Sequence, residues 1–243
     1  ACLMLPAMAF ADPVTHVSGG QVFNAGDALF ARDMLVENEG SRLYGSTARV
    51  FNGSRLTVDD HAQVDFQYVA IGNNETGGSV TVANGGRLLV STDLVTGELA
   101  KGYGGAKVDG TGSLISVRGN LVLNSTDFRG SQFVISNGGE LNVGGTVFLN
   151  SDGTRGSTIW IGGGVWNERE APGVLNAHHI NMSRQSGVTF NHTGRFEYGG
   201  SFSGEGYLSA QSGHTILTGD NSNFDGYAYY YDGATLEING AFG

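Results

Sequence analysis

Residues 123–131 read LNSTDFRGS and residues 149–157 read LNSDGTRGS, nearly the same phrase 26 residues apart. The copy is wider than that. Laying 121–138 over 147–164 matches Leu123, Asn124, Ser125, Arg129, Gly130, Ser131, Ile135 and Gly138 to identical residues. A fixed offset of this length marks a stacked architecture, in which each repeat is a unit that cannot bury its apolar side alone.

Working outward, short runs rich in β-branched and aromatic residues recur: SVTVANGGRLLV (79–90), SLISVRGNLVLN (113–124), QFVISNGGELNV (132–143) and STIWIGGGVW (157–166). Each is bounded by Gly, Asn, Asp or Ser, which reads as strands and turns. Gly-Ser opens many of them, at Gly45-Ser46, Gly53-Ser54, Gly78-Ser79, Gly112-Ser113, Gly130-Ser131 and Gly156-Ser157. Gly78 to Gly130 spans 52 residues, twice the first offset, and Asn84 to Asn137 spans 53, which adds one residue in a turn. The unit at residues 98–113 fits the period less well and is expected to carry a loop that bulges from the stack. Sustained helical periodicity is missing.

The fold expected is all-β, a right-handed parallel β-helix in which equivalent strands pair in parallel about 4.8 Å apart. The rivals are an antiparallel sandwich or a propeller, but hairpins need no gapless repeat. Leu123 should lie against Leu149 and Ile135 against Ile161 as inward neighbours. Asn124 and Asn150 should form a short amide ladder.

Composition agrees. Of 243 residues, 41 are glycine and only three proline, with no Gly-X-Y triplet period, which excludes collagen. Hydrophobic content of 40% is too high for a disordered chain. A net charge of −10, with two lysines and eleven arginines, argues against nucleic acid and anionic lipid as partners.

The first residues, ACLMLPAMAFADP, are apolar to Ala11 and polar from Asp12. Ala9-Phe10-Ala11 fits a small-x-small cleavage pattern, so residues 1–11 read as the tail of a signal peptide cut after Ala11. The competing readings are a buried first strand and a lipid acceptor at Cys2. After cleavage no cysteine would remain, leaving packing and hydrogen bonds to hold an exported chain together. No later apolar run approaches the roughly 20 residues of a membrane helix. Residues 12–195 are assigned to coils, and 196–243 to a segment of different style.

That segment contains SFSGEGYLSAQSGHTILTGDNSNFDG followed by GATLEING. Gly204, Gly206 and Leu208, then Leu217, Thr218 and Gly219, then Asn221, Phe224, Gly226 and the run from Gly233 to Leu236 resemble the passenger-associated repeat of bacterial autotransporters. The Gly-Thr pair usual in that family after the Asn turn is replaced here by YAYYY at 227–231. The coils from 14 to 167 are similar to passenger sequence in a less specific way. The resemblance implies a passenger of the type V pathway of Gram-negative bacteria, exported by a signal peptide and displayed at the cell surface or secreted. It implies as partner the chain's own C-terminal outer-membrane barrel with its insertion machinery, and a folding role for the repeat. No alternating membrane strands follow Gly243, so the sequence reads as a fragment lacking that barrel.

Motifs for chemistry are few. Asn221, Asn223, Asp225, Gly226 and Asp232 match calcium-loop spacing, but flanking helices and the final Glu are missing, and the repeat's turn already explains them. Of six histidines, His178 and His179 are adjacent and would point to opposite faces of a strand, so no metal is assigned. Asp59 and Asp60 are separated in the same way, and Glu37 and Glu39 flank the turn at Gly40. A common glycosidase needs two carboxylates about 5–9 Å apart; no catalytic residue and no cofactor is assigned. Tyr227, Tyr229 and Tyr231 would share one face with Tyr230 opposite, either as a stack along the coil or as a platform for glycan or protein. The loop from Asn167 to Pro172 should leave the coil and face solvent. Three function classes remain: a passenger stalk or adhesin, a polysaccharide-active β-helix enzyme, and a self-associating surface layer. Acids clustered in a groove would favour the enzyme, scattered charges the stalk.

Overall fold

The computed structural model describes residues 15–72, 76–98, 102–125, 130–165 and 168–243. The expected signal segment, with Ala11 and Cys2, lies outside the described residues. Among those described there is no helix, and parallel strands stack into a β-solenoid of about nine turns.

Three early coils combine a short and a long strand: β1 (His16–Val17) with β2 (Val22–Phe30), β3 (Met34–Val36) with β4 (Arg42–Val50), and β5 (Arg55–Val58) with β6 (Gln63–Ile71). Two three-stranded coils follow: β7 (Gly77–Val82), β8 (Arg87–Val90) and β9 (Leu94–Thr96), then β10 (Tyr103–Asp109), β11 (Leu114–Val117) and β12 (Leu121–Leu123). Two more complete the middle: β13 (Gln132–Ser136), β14 (Glu140–Val143) and β15 (Val147–Leu149), then β16 (Thr158–Gly162), β17 (Val174–Ala177) and β18 (His179–Met182). Long strands return in β19 (Gly187–Tyr198) and, after the short β20 (Ser201–Gly204), in β21 (Tyr207–Leu217), before β22 (Tyr227–Tyr230) and β23 (Ala234–Ile238).

One sheet runs β1-β3-β5-β7-β10-β13-β16-β19-β21-β22, with β23 also on β21. The other begins β2-β4-β6 and forks, because Gln63–Phe66 pair with β8 while Val69–Ile71 pair with β9. The fork is where a coil with one long strand becomes a coil with a corner in it.

Leu123 pairs with Leu149 and Ile135 with Ile161, all fully buried, as the repeat predicts. A single inward column runs Met34, Leu56, Val80, Ala106, Phe133, Ile159, Val188 and Leu208. Small Ala106 beside large Phe133 shows side chains fitted between coils, as close packing requires. Burying each such Val, Leu or Phe contributes about 1.5–3 kcal/mol.

Polar columns hold the corners. Asn150 donates through Nδ2 to Asn124 Oδ1 at 2.8 Å, and Asn124 donates to the Gly97 carbonyl at 3.3 Å, so the amide ladder is present. At the corner after the first sheet, Asn38, Asp60, Asn84 and Asn137 all have positive φ, between 45° and 71°. Asn and Asp tolerate that left-handed geometry better than other non-glycine residues. In register at the beginning of each first-sheet strand from β5 to β22, just before its first residue or just after it, stands a Ser or Gly: Ser54, Gly78, Gly104, Ser131, Ser157, Ser186, Gly206 and Gly226. Ser131 Oγ accepts from Gly104 N at 3.1 Å and Ser186 Oγ from Ser157 N at 3.0 Å, tying coil to coil.

Register sharpens three expectations. Gly78 stands in line with Ser131 rather than Gly130, and the added residue does lie in a turn, the one between β10 and β11, where Val108 to Leu114 is one residue longer than Val82 to Arg87. Within the 98–113 unit, Tyr103–Asp109 forms a regular strand paired on both sides, so a bulging loop is confined to the segment before it, of which residues 99–101 lie outside the described set. The repeat length is not constant either. Gln132 to Thr158 is 26 residues, but Gly187 to Tyr207 and Tyr207 to Tyr227 are 20 each, because the long strands dispense with a corner.

Candidate functional site

The residues of the tail repeat divide into interior and surface. Leu208, Leu217, Phe224 and Asn221 are fully buried. Asn221 Oδ1 accepts from Phe202 N at 2.8 Å and its Nδ2 donates to the Gly219 carbonyl at 3.0 Å, so both ends of the amide are spent on backbone. The stretch with calcium-loop spacing is therefore a coil turn followed by β22. Gly219 and Gly226 sit beneath backbone: a Cβ on Gly226 would lie 2.0 Å from Gly206 O, and one on Gly219 would lie 2.0 Å from Gly200 O. Gly204 ends β20 and pairs with Met182. Leu236 is half-buried beside Thr215, whereas Leu217 takes Ile238 as its neighbour.

The surface part is aromatic. Tyr227 and Tyr229 follow Tyr207 and Ser209 in register, so their side chains stand on the outward side of the first sheet. Tyr207 and Tyr227 have ring centroids 6.1 Å apart, Tyr227 and Tyr229 5.8 Å, and Tyr229 and Tyr231 5.8 Å with the last ring edge-on. Tyr230 stands in line with buried Ala210, on the opposite side as expected, and is 71% exposed. Tyr227 and Tyr231 are 55% and 53% exposed, so the cluster is at once a stack and an open face. Tyr229 is half-buried, and burial pushes its phenol above the ordinary range.

Tyr207 is the member that the sequence pattern missed. Its ring lies over Gly187, where a Cβ would be 2.5 Å from a ring carbon. That clearance lets its hydroxyl reach Thr158 Oγ1, 3.0 Å away and two coils back. The only signal in the sequence was the 20-residue step from Tyr207 to Tyr227, hidden by the longer period upstream.

Two open troughs adjoin Tyr207 and Tyr227. One, of about 470 Å³, is lined by Gln132, Thr154, Arg155, Thr158, Val165, Gln185 and Tyr207 with Gly130 and Gly156. Asp152 Oδ1 accepts from Thr154 N at 2.8 Å and from Arg155 N at 3.2 Å, which fixes the loop that carries Arg155. The other trough, of about 660 Å³, is lined by Arg184, Glu205, Asp225, Gly226 and Tyr227. Arg184 and Glu205 form an exposed pair at 3.3 Å. Both volumes fall in the range of about 300–1,000 Å³ typical of ligand sites.

Elsewhere charges alternate in sign. Arg42 pairs with Asp65, Arg49 with Glu98, Lys107 with Asp109 and Glu170, and Arg195 with Glu197. Among the described residues no three His, Cys, Asp or Glu side chains come together as a metal site. His178 is at a bend and exposed, and His179 opens β18, bonding Ser201 and Ser203 at 2.7 and 2.9 Å; the two do not share one strand as expected. The 168–172 loop is partly exposed but turns back: Asn137 N donates to Ala171 O at 2.8 Å, and Lys107 Nζ lies 3.4 Å from Glu170. Its expected first residue, Asn167, lies outside the described set.

Comparisons with protein-family models, with curated proteins and with solved structures found no match to this chain.

Proposed function

We propose that this chain is part of a surface-displayed or secreted β-helical passenger, a non-catalytic stalk exported in the manner of the autotransporters it resembles. Residues 204–240 serve as its folding platform. The observation that carries this is the interior position of the repeat's signature residues. Leu208, Leu217, Asn221 and Phe224 are buried, and Gly219 and Gly226 lie against the backbone of the preceding coil. Residues placed this way act on the coil's formation and have no surface with which to bind. A formed coil offers its edge to the next and lowers the cost of starting it. Charges spread as separate ion pairs of both signs also support a stalk over a catalytic cleft.

The test uses the full-length gene in its own host. Leu217→Asp buries an unpaired carboxylate and should unfold its coil. Reduced surface display with periplasmic accumulation is the expected result. Normal display would remove the folding role.

A further inference from the structure

We propose that the tyrosine face is a binding site for a neutral, hydroxyl-rich polysaccharide chain lying along the outer side of the first sheet. Three observations carry this assignment. Tyr207, Tyr227, Tyr229 and Tyr231 form one continuous row of phenols on the outward side of the first sheet, and Tyr227 and Tyr231 are more than half exposed. Each phenol offers an apolar ring to the C–H face of a sugar and a hydroxyl to its oxygens. The two troughs meet at one end of the row, since Tyr207 lines one and its register neighbour Tyr227 the other, while Tyr229 and Tyr231 carry the face onward along the strand. A site of that shape suits an extended ligand.

The trough linings decide the class. Gln132, Gln185 and Arg155 on one side, and Arg184, Glu205 and Asp225 on the other, present planar amide, guanidinium and carboxylate groups. These donate or accept pairs of hydrogen bonds, the natural match for vicinal hydroxyls. A protein partner wants dry apolar pockets for its anchoring side chains. Among the described residues of these linings Val165 is the one aliphatic side chain. Two arginines balance Glu205 and Asp225, so the face itself is neutral, while the net charge of −10 opposes a polyanion.

The experiment is titration calorimetry of the folded chain with soluble hexasaccharides of three kinds: β-linked glucan, β-linked galactan and polyuronate. Binding of a neutral hexasaccharide is expected, weakened about tenfold or more by Tyr227→Ala with Tyr231→Ala. Both side chains are exposed, so circular dichroism and Tm should not change. Arg155→Ala, outside the aromatic row, should weaken the same ligand. Three outcomes overturn the assignment: no binding of any hexasaccharide at millimolar concentration, binding of the polyuronate alone, or neutral binding that the tyrosine variants leave intact. The stalk proposal would survive each of these, because its test reads display and not affinity.

Discussion

Asn124 and Asn150 meet through one amide bond, and the cost of losing it follows from where they sit. Both are half-buried, so water can partly replace a missing partner. Asn150→Ala should therefore cost about 1 kcal/mol, at the low end of the about 1–3 kcal/mol for an abandoned buried group. A urea midpoint equal to wild type would contradict this. His192 is more consequential. It is fully buried, with Nε2 2.9 Å from Thr215 Oγ1 and Phe196 packed beside it, and burial holds its pKa below the usual histidine value. A depressed histidine pKa means the folded state prefers the neutral ring. Its stability contribution is present above the unfolded value of about 6.5 and is lost as pH falls through the lower folded value. Urea midpoints at pH 7 and pH 5 should diverge more for wild type than for His192→Gln, and equal differences would contradict the assignment. This histidine was not legible in the sequence, because nothing in TFNHTGRF announces that a 12-residue strand will bend there and enclose it.

At the scale of elements, glycine placement sets how closely coils approach. Gly226→Val would drive a side chain into the Gly206 carbonyl, an overpacking that costs about 1–3 kcal/mol. Gly153 has open space around it, so adding a Cβ there meets no atom, although its positive φ strains any replacement. Gly226→Val should thus lower Tm even where Tyr227→Ala does not; unchanged stability would show that β22 is not seated as described. Strand stacking was legible at this scale wherever the repeat was literal: Leu123 with Leu149 and Ile135 with Ile161 followed directly from identical neighbours. Where coil length changed, legibility failed. The fork at β6 and the 20-residue step after Gly187 depend on whether a strand bends or breaks, which sums over contacts on two neighbouring coils. The return of Ala171 and Glu170 onto the stack was equally hidden, since a polar loop ending in proline reads the same whether it leaves or folds back.

Over the whole molecule, each strand pairs only with strands of the coils beside it, and few side chains, such as Tyr207, reach a coil further, so stability is close to a sum of nearest-neighbour terms. Hydrogen exchange should report this as a gradient. Protection is expected to be greatest from β7 to β19 and least in β2 and β23, where Val22 and Leu29 are 64% and 55% exposed and Leu236 is only half-buried. Uniform protection along the stack would mean one cooperative unit. The architecture was readable from composition and period together: 41 glycines allowed the corners and the 26-residue copy demanded parallel pairing. The binding face was half readable. Alternation put Tyr227, Tyr229 and Tyr231 on one side, while the troughs beside them arise from Arg155 and Arg184 on separate coils, a distance that no linear pattern reports.

The column of Ser and Gly from Ser54 to Gly226 has a genetic consequence. Because the first-sheet strands from β5 to β22 begin at an equivalent small residue, the boundaries between those coils are interchangeable. Unequal crossing-over between the DNA for 123–131 and for 149–157 would delete or duplicate 26 residues. In the shortened product β16 would stack on β10, bringing Ser157 against Gly104 and Ile159 against Ala106, pairs already of the permitted kinds. Each such event changes the length of the rod by one rung, about 4.8 Å. The reach of the tyrosine face is therefore heritable in discrete steps, and lineages can adjust it without altering a residue of the face itself.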